Sequence, residues 1–348
     1  MNKPKYTIAV TGLNATDNPG PGVPVIRALK ESRDFDTRII GFAYESLEPG
    51  IFLEELVDKT YHIPYPSAGK DNIMRRLQQI NSVENIDIFI PNFDAEMLSF
   101  IKLEPQLKEM GIHTFLPTIE QFEERHKTNL FEFGKKYGIK VPFSQNIFDE
   151  CEILNFANNF NYPLVIKGKF YEAYIAYNYD EAKKYFHNIS AKWGIPIIVQ
   201  QFIQGDEYNV IAMGDGNGNM IAAVPMRKKI ITEKGKAWAG ITIEEDKLMK
   251  MTNKIINGSK WRGPLELELI KSSQNEFYLI EVNPRIPAWV YLAVGAGQNI
   301  PETIVKLALG VDIEPYDSYK VGKLFIRYSW DKIVDISEFE KIATMGES

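Results

Sequence analysis

The segment Phe277 to Arg285, FYLIEVNPR, sets a carboxylate in the middle of an otherwise apolar strand and follows it with asparagine, proline and arginine. An unpaired charge in such a strand is costly, so Glu281 needs a partner there. A second acidic strand, LELELI from Leu265 to Ile270, comes just before it. Together the two predict a β-hairpin. Side chains alternate faces along a strand, so Glu266 and Glu268 share one face, and Glu281 and Asn283 share another. Antiparallel pairing lets these faces coincide, gathering carboxylates and an amide oxygen on one sheet surface. Hard oxygen donors without sulfur or imidazole suit Mg²⁺. Arg285, beyond Pro284, is placed to hold a phosphate or carboxylate through a bidentate fork. LELEL alone is ordinary for a half-exposed sheet; the EVNPR that follows gives the pair its chemical reading.

The rest of the chain supplies a frame for that hairpin. The first third alternates short apolar strands (Tyr6 to Thr11, Thr37 to Phe42, Ile86 to Pro91) with helical stretches (Gly22 to Ser32, Asp94 to Met110). This is the pattern of a parallel α/β sheet. Thr118 and Gln121 have the spacing of a capping box, and Pro117 before them marks a boundary. The helix that follows is expected to contain Lys127 and to stop at Gly138. Beyond it, strands are expected at Pro163 to Lys167, Pro196 to Gln201, Glu207 to Met213 and Met220 to Pro225, with Asp180 capping an intervening helix. Hairpins here imply antiparallel sheets. The segment from Lys169 to Asn178 reads equally as a strand or as a closing lid. The tail after Val311 carries no assignable pattern. The division expected is 1–116, 117–200, 201–315 and 316–348.

Several chemistries are excluded cheaply. No G-x-x-x-x-G-K-[ST] loop occurs, and the glycines at 12, 20 and 22 lack the dinucleotide spacing; they fit a loop that shapes a substrate cleft. Four dispersed histidines and one cysteine, Cys151, make a zinc site improbable. Met220 and Met226 occupy the glycine and glutamate positions of an EF-hand beginning at Asp215, so that segment is a turn. The net charge of −6 disfavours nucleic acid as a partner. The opening MNKPKYTIAVTG has no long apolar stretch and no run of 18 apolar residues follows. With the single cysteine, this predicts a cytoplasmic protein without a membrane partner.

EVNPR after an acidic hairpin strand resembles the metal-binding signature of the ATP-grasp superfamily. The resemblance extends from about Tyr6 to Gly310 and is closest to carbamoyl-phosphate synthetase halves and amino-acid ligases. It implies an α/β and α+β fold: a parallel pre-ATP-grasp domain, then a two-lobed ATP-grasp domain with antiparallel sheets. Residue by residue, it implies Glu268, Glu281 and Asn283 as ligands of Mg²⁺, with Mn²⁺ as a substitute, and Arg285 on phosphate. HKTNLFEFGKKYGIKVP resembles the segment whose lysine, here Lys127, meets phosphate. YPLVIKG resembles the strand bearing a second lysine, here Lys167. VQQFIQGDEYNV resembles the hinge that meets adenine through Gln200, Gln201, Phe202 and Ile203, with Glu207 on the ribose. Arg227 in PMRKK is a weaker match, facing the transferred phosphate. Two departures stand out. The family's glycine-rich loop is replaced by tyrosine-rich GKFYEAYIAYN, where Lys169 supplies positive charge. The hinge carries Gln200 and Gln201 where an acidic residue is common.

The activity implied is ATP-dependent ligation of a carboxylate to an amine or related nucleophile through an acylphosphate. The substrates expected are a small molecule or peptide bearing the carboxylate, and an amine-type acceptor; a homodimer is among the expected states. Two alternatives stay open: an ATP-binding regulatory or carrier protein with little turnover, and a small-molecule phosphotransferase.

Overall fold

A computed structural model describes residues 3–15, 19–169, 172–233, 235–329 and 331–348. The chain forms two compact units. One comprises residues 1–122, 209–266 and 283–348; the other comprises 123–208 and 267–282.

The first unit begins with β1 (Lys5–Val10), β2 (Asp36–Ala43), β3 (Lys59–His62) and β4 (Ile88–Ile90). They form a parallel sheet in the order β3-β2-β1-β4. Alternation along these strands feeds two cores. Ile8, Val10, Ile39, Ile88 and Ile90 pack with Val25 and Leu29 of the helix Gly22–Lys30. Ala9, Ile40 and Phe89 pack on the other face with Ile73 and Leu77 of helix Lys70–Glu84 and Phe100 of helix Asp94–Glu109. A sheet covered on both faces needs such continuous apolar strands. The glycine loop returns tightly on the end of β1. Gly12 has φ +86°, and a Cβ on Gly22 would lie 2.4 Å from the Thr11 carbonyl oxygen. Glycine is needed there for backbone approach.

The second part of the chain supplies β9 (Gly205–Asp215), β10 (Met220–Ile231), β11 (Ala237–Thr242), β12 (Arg262–Ser272), β13 (Phe277–Asn283) and β14 (Leu324–Ile326), in the sheet order β13-β12-β9-β10-β11-β14. The β9–β10 turn is held by Asp215, whose Oδ1 accepts from the N–H groups of Asn217, Gly218 and Asn219, as an aspartate in a tight turn does. The tail is structured where no sequence pattern showed it. β14 pairs antiparallel with β11. Helix Ile336–Met345 ends at Gly346, whose carbonyl accepts from His62 N–H at 2.8 Å.

The other unit holds β5 (Ser144–Ile147), β6 (Leu164–Lys167), β7 (Ala173–Ala176) and β8 (Ile197–Gln201), antiparallel in the order β5-β8-β6-β7. Ile166, Ile197 and Val199 pack on Phe156 of helix Glu152–Phe160 and on Phe186 and Ile189 of helix Tyr179–Trp193.

Two local expectations are corrected, and one left open takes its strand alternative. Lys127 is not inside a helix. Helix Ile119–Glu124 ends, His126 is extended (φ −53°, ψ 143°), and Lys127–Asn129 forms a 3₁₀ turn before helix Leu130–Tyr137. The cap of helix Tyr179–Trp193 is Asn178, not Asp180, because its Oδ1 accepts from Glu181 N–H at 2.9 Å. Ala173–Ala176 is a strand paired with β6; Phe170 and Tyr171 of that segment lie outside the described residues. Among the described residues no helix is long and apolar enough to cross a membrane.

Candidate active site

In the unit of residues 123–208 and 267–282, two lysines 40 positions apart lie in the field of one carboxylate. Lys127 Nζ lies 3.2 Å from Glu281 Oε1. Lys167 ends β6, opposite Ile198 of β8. Burial pushes its ammonium down to about 8; neighbouring Lys127 pushes the same way, while Glu281 and Glu268 pull it back. Two lysines and two carboxylates therefore share one electrostatic field. His126 is held below the usual histidine value by burial and by Arg125, Lys169 and Lys127. A chain of net charge −6 thus keeps a local cluster of Arg125, Lys127, Lys167 and Lys169, which suits a polyanion. Sequence reasoning missed Arg125 and His126, since the helix break that places them carries no local signal.

The hinge follows β8. Gln200 is buried opposite Ser144 of β5, and Gln201 N–H donates to the Phe143 carbonyl at 2.8 Å. That N–H is committed to the sheet. Phe202 and Ile203 lie beyond the strand and make no hydrogen bond among the described residues. Glu207 is half-buried on β9. Where a glycine-rich loop was lacking, Gly168 N–H donates to the Glu172 carbonyl at 3.0 Å. Half-buried Lys169 follows two residues after the end of β6.

In the unit of residues 1–122, 209–266 and 283–348, the centre is Glu266, only 4% exposed. Its Oε1 accepts from Asn209 Nδ2 and Trp289 Nε1, each at 2.6 Å. Its Oε2 accepts from Asn283 Nδ2 and an Arg285 terminal nitrogen, each at 3.2 Å. Arg285 Nε also donates to Asp94 Oδ2 at 2.8 Å, so its guanidinium is clamped between two carboxylates. Arg327, from the segment after β14, feels the Glu266 charge, but burial dominates and pushes its guanidinium down to about 10. Its Nε donates to the Ala237 carbonyl. Arg227 lies on β10 opposite Ile241 of β11. The roles of Asp94, Asn209, Trp289 and Arg327 were not legible beforehand, since each comes from a distant segment.

Among the described residues no group of three or more His, Cys, Asp or Glu side chains is arranged to hold a metal alone. The donor set read from the hairpin is two carboxylates and an amide. Mg²⁺ is usually held by one or two carboxylates together with substrate phosphates rather than by an all-protein cage.

Comparison with known proteins gives the following. Residues 195–328 match the family model "ATP-grasp in the biosynthetic pathway with Ter operon". The chain is 24% identical over 274 residues to the carbamoyl phosphate synthase large chain of Agathobacter rectalis, covering 75% of this chain and 25% of that one. It thus spans about a quarter of the length of that curated relative. The biotin carboxylase of Campylobacter jejuni, solved as a β-γ-ATP complex, superposes with a TM-score of 0.72 at 16% identity, over 91% of this chain and 73% of that one. The N5-carboxyaminoimidazole synthetase of Staphylococcus aureus superposes with a TM-score of 0.69 at 14% identity, over 92% and 82%.

Proposed function

We propose that this ATP-grasp chain is a ligase that uses ATP and Mg²⁺ to join a carboxylate to an amine or related nucleophile. The observation that carries the reading is the ion pair of Lys127 with Glu281, with Lys167 and Glu268 in the same electrostatic field. Cations and carboxylates held together at a sheet end are what a metal-bound polyphosphate requires. In this reading Lys127, Lys167 and Lys169 hold phosphate oxygens. Gln200, Gln201, Phe202 and Ile203 line the base, and Glu207 meets the ribose. Glu268, Glu281 and Asn283 would hold Mg²⁺, and Mn²⁺ can replace it; the ion supplies neutralisation of charge on the phosphate oxygens. Arg227 and Arg285 face the transferred phosphoryl group. A substrate carboxylate attacks the γ-phosphate to give an acylphosphate and ADP; the amine then displaces phosphate. No protein nucleophile is needed, and catalysis is positioning plus electrostatics.

The substrates belong to the class of small acids, amino acids or peptides with an amine-type acceptor. The chain is read as a pre-ATP-grasp domain (1–116), a small lobe with hinge (117–200), a large lobe (201–315) and a tail (316–348). The test is ADP release against pairs of metabolites, followed by mass spectrometry of the product. Release that needs both a carboxylate and an amine supports the ligase. Release with a carboxylate or alcohol alone, giving a stable phosphorylated product, replaces it with a phosphotransferase. ATP binding with no release for any pair would leave a regulatory protein.

A further inference from the structure

Among the described residues, Asn209, Trp289, Asn283 and Arg285 each donate to Glu266. We propose that Glu266 is a positioning residue that fixes which end of the Asn283 amide faces the metal; the inference rests on Asn283 being a ligand, as read above. An ionised carboxylate only accepts hydrogen bonds. The atom of Asn283 that faces Glu266 must therefore be Nδ2, and a planar amide then turns Oδ1 the opposite way. Oδ1 is the only Asn283 side-chain atom a hard cation can use. Without the carboxylate the amide loses the acceptor that keeps Nδ2 on that side and Oδ1 on the other.

The rest of the network makes Glu266 a firm reference point. Asn209 and Trp289 hold Oε1 from two other segments, both at 2.6 Å. Arg285 neutralises the buried charge at Oε2, and Asp94 holds the far side of the same guanidinium. One carboxylate therefore orients an amide ligand and a phosphate-facing arginine together. Partners beyond the ligands commonly set ligand orientation in this way. A glutamine at 266 could not do so. Its NH₂ would face either the Asn209 and Trp289 donors or the Asn283 and Arg285 donors.

The probe is Mn²⁺, followed by electron paramagnetic resonance in the presence of saturating ADP. Glu266→Gln is expected to weaken Mn²⁺ binding by about 10- to 100-fold, while ADP affinity without metal stays at the wild-type value. Combining it with Asn283→Asp removes the need for amide orientation and is expected to recover most of the lost affinity. Trp289→Phe, which keeps Glu266 but removes one donor, is expected to weaken Mn²⁺ by about fivefold. Wild-type Mn²⁺ affinity in Glu266→Gln overturns the proposal; if that variant does not fold, wild-type affinity in Trp289→Phe overturns it instead. A Glu281→Ala control separates the two levels. If Glu281→Ala leaves Mn²⁺ binding intact, the metal-site reading itself fails and this inference goes with it. If Glu281→Ala abolishes binding while Glu266→Gln does not, only the inference fails.

Discussion

Lys167 is cationic at neutral pH and loses its proton near pH 8, chiefly because it is buried and because Lys127 stands beside it. A bound triphosphate favours the charged form and raises that value towards the ordinary lysine range, near 10.4. ATP binding should then take up a proton in the interval between the two values. Affinity should be flat below about pH 7 and fall as pH rises through about 8, in the direction of losing a charge-assisted contact. Calorimetry at about pH 8.5 in two buffers of different ionisation enthalpy reads the uptake directly. A pH-independent affinity, or proton release, would show that Lys167 does not meet the phosphates. Lys127→Ala or Lys167→Ala should weaken ATP binding by roughly 1.5–3 kcal/mol. At this scale the sequence was legible where a short motif carried the residue, as with Lys167 and Glu281. It was not legible for Glu266. Alternation along LELEL assigns a face, but the partners Asn209 and Trp289 lie 57 and 23 positions away and only tertiary structure joins them.

Elements were legible where end signals were local. The capping box read at Thr118 is present: Thr118 N–H donates to Gln121 Oε1 at 3.0 Å, and Gln121 N–H to Thr118 Oγ1 at 3.2 Å. Gly138 stops its helix in the left-handed region, at φ 57°. Helix Lys70–Glu84 escaped, because only Ile73, Leu77 and Ile80 are buried in a mostly polar stretch and its N-terminus has no side-chain cap. The break at His126 escaped because nothing in RHKTN forbids helix. Gln121 does more than a cap requires. Its Nε2 also donates to the carbonyls of Ser259 and Lys260, at 3.1 and 2.7 Å, where helix Asp246–Ser259 ends. Thr118→Ala should therefore cost about 1 kcal/mol, the usual value of a helix cap. Gln121→Ala should cost about 2 kcal/mol, since it also removes two hydrogen bonds to the Ser259–Lys260 turn. Urea denaturation of both variants measures the difference. Equal costs would mean that the bonds to the Ser259–Lys260 turn add nothing to stability.

At the scale of the molecule, the chain order is the constraint. The unit that holds Lys127 and Lys167 is built from two pieces, 123–208 and 267–282, with 58 residues of the other unit between them in sequence. The second piece carries more than the carboxylates. Leu279 N–H donates to the Lys140 carbonyl at 2.9 Å, Lys140 pairs with Glu276 at 3.1 Å, and Phe277 packs edge-on against Tyr208 with ring centroids 5.3 Å apart. A Cβ on Gly205 would lie 2.1 Å from the Lys271 carbonyl oxygen, so the start of β9 lies directly on the second piece. Residues 123–208 expressed alone keep β5 to β8 and their own apolar core, yet lose Glu268, Glu281 and every one of these supports. Such a fragment should retain secondary structure but show no ATP-dependent stabilisation. The full chain should gain about 2.7 kcal/mol at an ATP concentration 100 times its dissociation constant, as binding to the native state alone requires. Thermal unfolding of both with and without Mg-ATP decides the matter. A fragment stabilised as much as the full chain would mean that the segment 267–282, and with it the pairing of Lys127 with Glu281, is not needed to hold the nucleotide.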